Sequence, residues 1–367
     1  MRVLITSNAA HGHFYQLVPY GWALRAAGHE VLVAVAPTFC SVVKETGLAG
    51  VAVGRELLPG EWPQPAPDAG REEKLVLAAG RGWSLAAAHA ADDLAALARD
   101  WRPDLVLHES LDYTGPFVAA LTGVPAVSVR CVLHLPSAVA EVASEQLRPL
   151  YERFHISPAP PLMELDPVPP SLQLLDATPT TPVAYVPFTG SRPAPRWCYE
   201  PLSRKRVVLT LGSIHNPRAK QVLESVAAVV GEFDVELVVA VGQLAAKPRL
   251  PEGSIVAAWL PLSEVVPRSD LFISQGGLGG TLTAARAGVP QLMLPQMGEQ
   301  YRTAGRIHDT GVGINLDVAE PSSEELKTAL ADLLTEPKYR EAAAWMRDEL
   351  LAQPEPAAVV GMLEGVA

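Results

Sequence analysis

The sequence predicts an α/β protein of two doubly wound domains, each a parallel sheet wrapped by helices, facing across a cleft. Three observations carry this. Short apolar runs alternate with helix-patterned stretches in both halves of the chain. A proline-rich stretch, "TGSRPAPRWCYEPLS" at 189–203, interrupts the alternation. The length, 367 residues, exceeds what one core usually serves. Strands that are apolar throughout imply sheets covered on both faces, and such sheets bind ligands outside the carboxyl ends of their strands.

In the first half, "VLITS" (3–7), "EVLVAVA" (30–36), "GVAV" (50–53), "DLVLHE" (104–109) and "PAVSV" (125–129) read as buried strands. Between them, "FYQLVPYGWALRAAG" places Leu17, Tyr20, Leu24 and Ala27 at helical spacing, and 72–100 reads as one long alanine-rich helix. The segment "SPAPPLMELDPVPP" (157–170) is proline-rich with little periodicity, and "VAYVPF" (183–188) is strand-like. The stretch 189–203 then reads as a semi-rigid linker. In the second half, strands are expected at 206–213, 235–242, 254–259, 270–274 and 291–295, with helices near 217–232, 261–268 and 279–288.

Composition narrows the function classes. Hydrophobic content of 49% against 19% charged marks a well-packed soluble chain. A formal net charge of −11, without any lysine- or arginine-rich block, argues against nucleic acid or an anionic membrane as partner. The start, "MRVLITSNAAHGH", holds too few apolar residues for a signal-peptide core, and no apolar run approaches the ~18 residues of a membrane span. Cys40, Cys131 and Cys198 are scattered, which suggests neither a disulfide framework nor a zinc site. A cytoplasmic location is expected, and oligomeric state stays open, a homodimer included.

The most telling stretch is "LFISQGGLGGTLTAARAGVPQLMLP", 271–295. A strand delivers the chain to Gly276, Gly277, Gly279 and Gly280, and a helix follows. Unpaired N–H groups and the positive dipole end at a helix start attract an anion, and bare backbone lets phosphate oxygens approach. Thr281 can add a hydroxyl. A tight turn with close helix–strand packing explains the same glycines. The spacing matches neither the dinucleotide fingerprint nor the nucleoside-triphosphatase loop, and the acidic residue a dehydrogenase needs is missing. Neighbouring signals point to a nucleotide sugar. Gly212 and Ser213 end the first strand of the same domain, Trp259 closes another strand and can stack a base, and Glu299 and Gln300 can grip sugar hydroxyls.

The segment "AAWLPLSEVVPRSDLFISQGGLGGTLTAARAGVPQLMLPQMGEQ" resembles the donor-binding region of GT-B glycosyltransferases. The likeness is greatest to bacterial enzymes that attach nucleotide-activated deoxysugars to polyketide, macrolide, aromatic and enediyne antibiotics. "MRVLITSNAAHGHFYQLVPYGWALRAAGHEV", "PPSLQLL" (169–175) and "LTLGS" (209–213) are similar to the same group. The resemblance implies the GT-B fold of two Rossmann-like domains, an acceptor domain at 1–195 and a donor domain at 196–350, with 351–367 crossing back. It implies that Trp259 stacks the base and the backbone of Leu260 bonds it. Ser213 and the loop 276–281 would hold the diphosphate, and Glu299 with Gln300 the sugar. Members usually carry two histidines before the glycine pair; here Ser274 and Gln275 stand there, and Gly280 replaces a usual threonine. A glutamine amide keeps an N–H donor but not a charge, a loss from roughly 1.5–3 to 0.5–1.5 kcal/mol.

The first half offers a base. His13 lies at the turn between the first strand and the helix after it. An isolated histidine is often a cap or a packed ring, as His29 and His108 read here. A helix start disfavours imidazolium, so His13 is expected neutral, and Glu109 or Asp112 can hold its second nitrogen. The family likeness makes His13 the general base and Glu109 its partner, where many members have aspartate; His11 is the competing base. The implied reaction is inverting transfer of a sugar from a TDP- or UDP-sugar co-substrate to a large apolar aglycone, with no metal and no other cofactor. Phe14, Tyr15, Trp62 and Trp83 are the acceptor-side candidates, and the loop 55–70 reads as a mobile cover. A second reading is a weakened, nucleotide-binding relative that assists another transferase, motivated by Ser274-Gln275. A third, a nucleotide-sugar epimerase, fits the apolar aromatics poorly.

Overall fold

Two parallel sheets organise the chain. The computed structural model describes residues 1–58, 60–66, 68–133, 135–174, 180–212, 219–242, 248–317 and 321–367. The first sheet comprises β1 (Arg2–Thr6), β2 (Glu30–Val35), β3 (Ala49–Ala52), β4 (Leu105–Glu109), β5 (Ala126–Val129), β6 (Met163–Asp166) and β7 (Thr181–Pro182). Its order is β3-β2-β1-β4-β5-β6-β7. The second comprises β8 (Lys205–Thr210), β9 (Val235–Ala240), β10 (Ile255–Ala257), β11 (Leu271–Ser274), β12 (Gln291–Met293) and β13 (Gly313–Asn315), ordered β10-β9-β8-β11-β12-β13. The chain divides into unit 1, Met1–Pro167 with Asp176–Phe188 and Pro354–Ala367, and unit 2, Val168–Leu175 with Thr189–Gln353.

Strand periodicity explains the two-sided cores. In unit 1, Val3 and Ile5 of β1 join Leu105 and Leu107 of β4 on one face, under the helices Val18–Ala26 and Pro356–Glu364. Leu4 and Val106 point to the other face, under Trp83–Trp101 and Thr114–Thr122. Unit 2 repeats the scheme: Val207, Leu209, Leu271 and Ile273 on one face, Val208 and Phe272 on the other. Burying each such side chain stabilises by about 1.5–3 kcal/mol, so the central strands anchor whatever their ends carry.

Both sheets reverse direction at one place. In unit 1 it falls between β1 and β4, with Thr6 beside His108; in unit 2 between β8 and β11, with Leu209 beside Ile273. These are the topological switch points, where the loops leaving adjacent strands diverge and open a crevice.

Several elements differ from the sequence expectation. The proline-rich 157–170 contains β6, because "MELD" lies between the prolines rather than under them. "VAYVPF" is not a strand; β7 lies just before it, and the Val183 and Ala184 N–H groups donate to the Asp166 and Pro354 carbonyls. The long helix is interrupted by a π-helical turn, Val76–Gly82. Within the linker, Trp197 packs on the sheet: the Arg206 guanidinium, 2% exposed, lies 4.9 Å over its ring and pairs with Glu236. "PPSLQLL" begins unit 2, where Arg306 donates to the Ser171 carbonyl at 2.8 Å and the Ser171 hydroxyl donates to Glu349. Among the described residues no helix is long and apolar enough to cross a membrane.

Candidate active site

At the unit 1 switch point, β1 ends and the chain turns through Asn8 into the short helix His11–Phe14, while β4 ends on Glu109. Glu109 is fully buried, and its carboxylate is gathered in by donors. Oε1 accepts from Asn8 Nδ2 at 2.8 Å and contacts His13 Nδ1 at 2.9 Å; Oε2 accepts from Leu111 N at 2.6 Å and Cys131 Sγ at 2.9 Å. Burial alone would raise the Glu109 pKa, but His13 and these hydrogen bonds bring it down to about 2.

His13 carries the reciprocal effect. Burial pulls its pKa down, yet the Glu109 carboxylate overrides burial and holds it well above 6.5. The sequence expectation of a neutral ring is therefore corrected: a four-residue helix has little dipole, and a carboxylate in contact outweighs it. Cys131, pushed up to about 11 by burial and by Glu109, stays a neutral thiol that donates rather than a charge. With Nδ1 held by carboxylate, Nε2 is the nitrogen that exchanges a proton. His13 Nδ1, a Glu109 oxygen and Cys131 Sγ lie within 4.8 Å of one another, a donor set with zinc-binding chemistry, but hydrogen bonds a metal must displace already join them.

The alternatives separate by contacts. Asp112 spends its oxygens on the Thr6 hydroxyl, Thr114 and the Gly115 N–H, tying β1 to the next helix. His11 packs against Tyr15 and Phe39 at 5.2 and 5.4 Å, and burial lowers its pKa. Phe14 is fully buried in the core and is corrected as an acceptor contact. Tyr15 is half-buried, edge-on to Phe188. Trp62 and Trp83 meet at 4.9 Å and 89°, and Trp83 lies 5.4 Å from His13. Both tryptophans line a cavity of about 240 Å³ at the ends of β1, β2 and β3. In the loop over it, Arg55 grips both Glu61 oxygens at 2.7 Å.

At the unit 2 switch point the glycines have identifiable neighbours. Gly276 (φ +85°) lies against the Gln300 carbonyl, where a Cβ would sit at 3.1 Å. A Cβ on Gly212 (φ +83°) would meet Gln275 Nε2 at 2.3 Å, and one on Gly277 the same nitrogen at 2.9 Å. The Gln275 amide thus lies against both the end of β8 and the start of the helix Leu278–Ala287. Gly280 has only ordinary contact with Phe272, and Gly279 accepts from the Thr283 hydroxyl. Ser274, buried at the end of β11, takes a structural part: its hydroxyl accepts from the Gly276 N–H.

Three donor-side expectations change. Thr281 is fully buried and its hydroxyl has no partner among the described residues, so it does not line the loop. Gln300, also buried, commits its carbonyl oxygen to Gln296 N and Met297 N at 3.0 and 3.1 Å, which leaves only its amide N–H groups for a sugar. Leu260 is a core residue whose backbone alone can bond a ligand. Trp259 is half-buried, with its indole N–H fixed on the Thr189 carbonyl at 2.8 Å, and Glu299 stands half-buried at the cap of the helix Gln300–Asp309. Ser213 lies outside the described residues. Sequence reasoning missed Asn8 and Cys131. Both follow a strand end, as ligand-edge residues do, but nothing in the order of residues aims them at Glu109.

Comparison with known proteins gives this geometry a context. Models of the erythromycin biosynthesis protein CIII-like family match the N-terminal domain over 22–81 and 67–212 and the C-terminal domain over 223–366. The chain is 32% identical to the 10-deoxymethynolide desosaminyltransferase of Streptomyces venezuelae, covering 100% of this chain and 97% of that protein. Its fold is similar to the glycosyltransferase SsfS6 of Streptomyces sp. SF2575, solved with thymidine diphosphate: TM-score 0.87, 31% identity, 100% of this chain and 99% of that one. It is likewise similar to the spinosyn rhamnosyltransferase SpnG, solved with spinosyn aglycone: TM-score 0.88, 32% identity, 99% and 100% covered.

Proposed function

The chain belongs to the erythromycin biosynthesis protein CIII-like family of antibiotic deoxysugar glycosyltransferases, and on that premise we propose that it moves a deoxysugar from a TDP-sugar to a hydrophobic natural-product aglycone with His13 as general base. The supporting observation is the contact between His13 Nδ1 and buried, ionised Glu109. The carboxylate fixes the tautomer in which Nε2 accepts a proton from the acceptor hydroxyl, and it stabilises the imidazolium that results. The hydroxyl oxygen attacks the anomeric carbon as the diphosphate leaves, inverting that centre. Charge building on the diphosphate meets the start of the helix Leu278–Ala287 and the Gln275 amide, so no metal or other cofactor is required. TDP is favoured over UDP because a relative at 31% identity was solved with thymidine diphosphate.

The test is the variant His13→Ala, assayed for transfer and titrated with TDP and UDP. Turnover should fall by about 10²–10⁴-fold while nucleotide affinity stays within a factor of about two. Near-normal turnover removes the base assignment. Wild-type protein that binds TDP but neither transfers nor hydrolyses donor across a broad acceptor screen supports the reading as an assisting relative, for which Gln275 in place of histidine is the motive.

A further inference from the structure

The unit 1 cavity has a size and a lining that select its occupant. Its volume, about 240 Å³, is below the about 300–1,000 Å³ of common small-molecule sites. Ala34, Ala36, Ala86 and Ala90 line it together with Trp62 and Trp83, and Arg55, Glu56 and Asp112 add charge to the lining. Alanine walls present flat methyl surfaces, and perpendicular indoles offer a face and an edge, the geometry that aromatic rings pack against.

Close contacts also hold its lining residues together. A Cβ on Gly82 would lie 2.5 Å from Trp62, so glycine in the π-helical turn is what lets Trp62 seat there. A Cβ on Gly54 (φ +62°) would lie 2.7 Å from the Ala90 backbone, and the Gly54 N–H donates to Asp93 at 2.8 Å. The Arg55–Glu61 fork and the bond from Leu58 N to Glu61 at 2.8 Å tie described residues of the loop to one another. Widening the slot means breaking these contacts together. Asn8 both lines it and donates to Glu109, and Trp83 lines it 5.4 Å from His13, so the cavity adjoins the dyad.

We propose that this slot seats a flat, fused aromatic phenol as the acceptor, and discriminates against a saturated macrolactone. The inference rests on the acceptor reading above and narrows it to a chemical class. The experiment titrates the full chain, with and without TDP, against a hydroxycoumarin, a hydroxyanthraquinone and a saturated macrolactone, followed by calorimetry and tryptophan fluorescence. At least one aromatic should bind about tenfold or more tighter than the macrolactone, about 1.4 kcal/mol, and quench indole emission. The variant Ala86→Leu, which fills a half-buried wall position, should abolish aromatic binding while TDP affinity and melting temperature hold. Macrolactone binding equal to or tighter than the aromatics, or aromatic binding that survives Ala86→Leu, overturns the proposal. Loss of TDP binding in wild-type protein is instead the failure of the transferase reading, and the titrations without TDP still decide the slot.

Discussion

At the switch point of unit 1 a buried carboxylate gathers Asn8, His13, Leu111 and Cys131 around itself, and charge is concentrated there. At the switch point of unit 2 the same wiring of strands carries glycines, a buried serine and a neutral glutamine. On the proposed reading the first moves a proton and the second receives an anion without a full positive charge. Topology sets where chemistry can stand, and the side chains at the strand ends decide which chemistry it is. Electrostatic perturbations should therefore act strongly on unit 1, and steric ones on unit 2.

The largest effect is expected from Glu109→Gln, which keeps the shape but removes the charge. An amide N–H can turn toward Nδ1 and favour the tautomer whose Nε2 is already protonated, so turnover should fall about 10²–10⁴-fold with TDP affinity unchanged. A loss confined to donor affinity would break the division between the units. Next is pH. Because the base must be neutral and its pKa lies well above 6.5, kcat/KM should rise with pH above 6.5, by about tenfold per unit on the ascending limb. The ion pair contributes stability in the opposite sense. The share from His13 is present below 6.5 and is lost as pH rises through the folded value; the share from Glu109 is present above 4.5 and lost toward about 2. The melting-temperature gap between wild type and His13→Ala should thus be widest between 4.5 and 6.5.

On the donor side, Gly212→Ala puts a Cβ into the Gln275 amide at positive φ, costing about 1–3 kcal/mol of stability and weakening TDP binding. A neutral result by calorimetry and thermal melting would mean Gln275 swings away freely. The smallest effect is Gln275→Ala, a loss of one neutral hydrogen bond worth about 0.5–1.5 kcal/mol in TDP affinity. A loss well beyond that would show that the amide does more than replace one histidine donor.

The strand–helix alternation and the glycines at a helix start were legible because each follows from local pattern, whereas Glu109 rather than Asp112 as the partner of His13, 96 positions away, came from the family resemblance. Apolar runs mark buried strands whatever lies elsewhere, and strand ends mark the ligand edge. What failed depends on the far side of each residue. Phe14 and Thr281 lie beside the right turns but face inward, since helix rotation, not position, settles their direction. Asn8 meets Glu109 across 101 positions and Cys131 across 22, contacts created only when β1, β4 and β5 align. The charge on His13 was misjudged because one near carboxylate outweighs a dipole from a four-residue helix. Glycine spacing signalled close approach, but for Gly212, Gly276 and Gly277 the nearest neighbour is the chain's own Gln275 or Gln300.

The last helix has a practical implication for shuffling such enzymes. Pro356–Glu364 completes the unit 1 core through Val359, Val360 and Leu363, although the chain reaches it only after traversing all of unit 2. A hybrid spliced at one point in the linker would graft a foreign tail onto the native acceptor half. Val359, Val360 and Leu363 must travel with the rest of unit 1, so productive recombination takes a further crossover near Pro354 besides those in the first half of the chain.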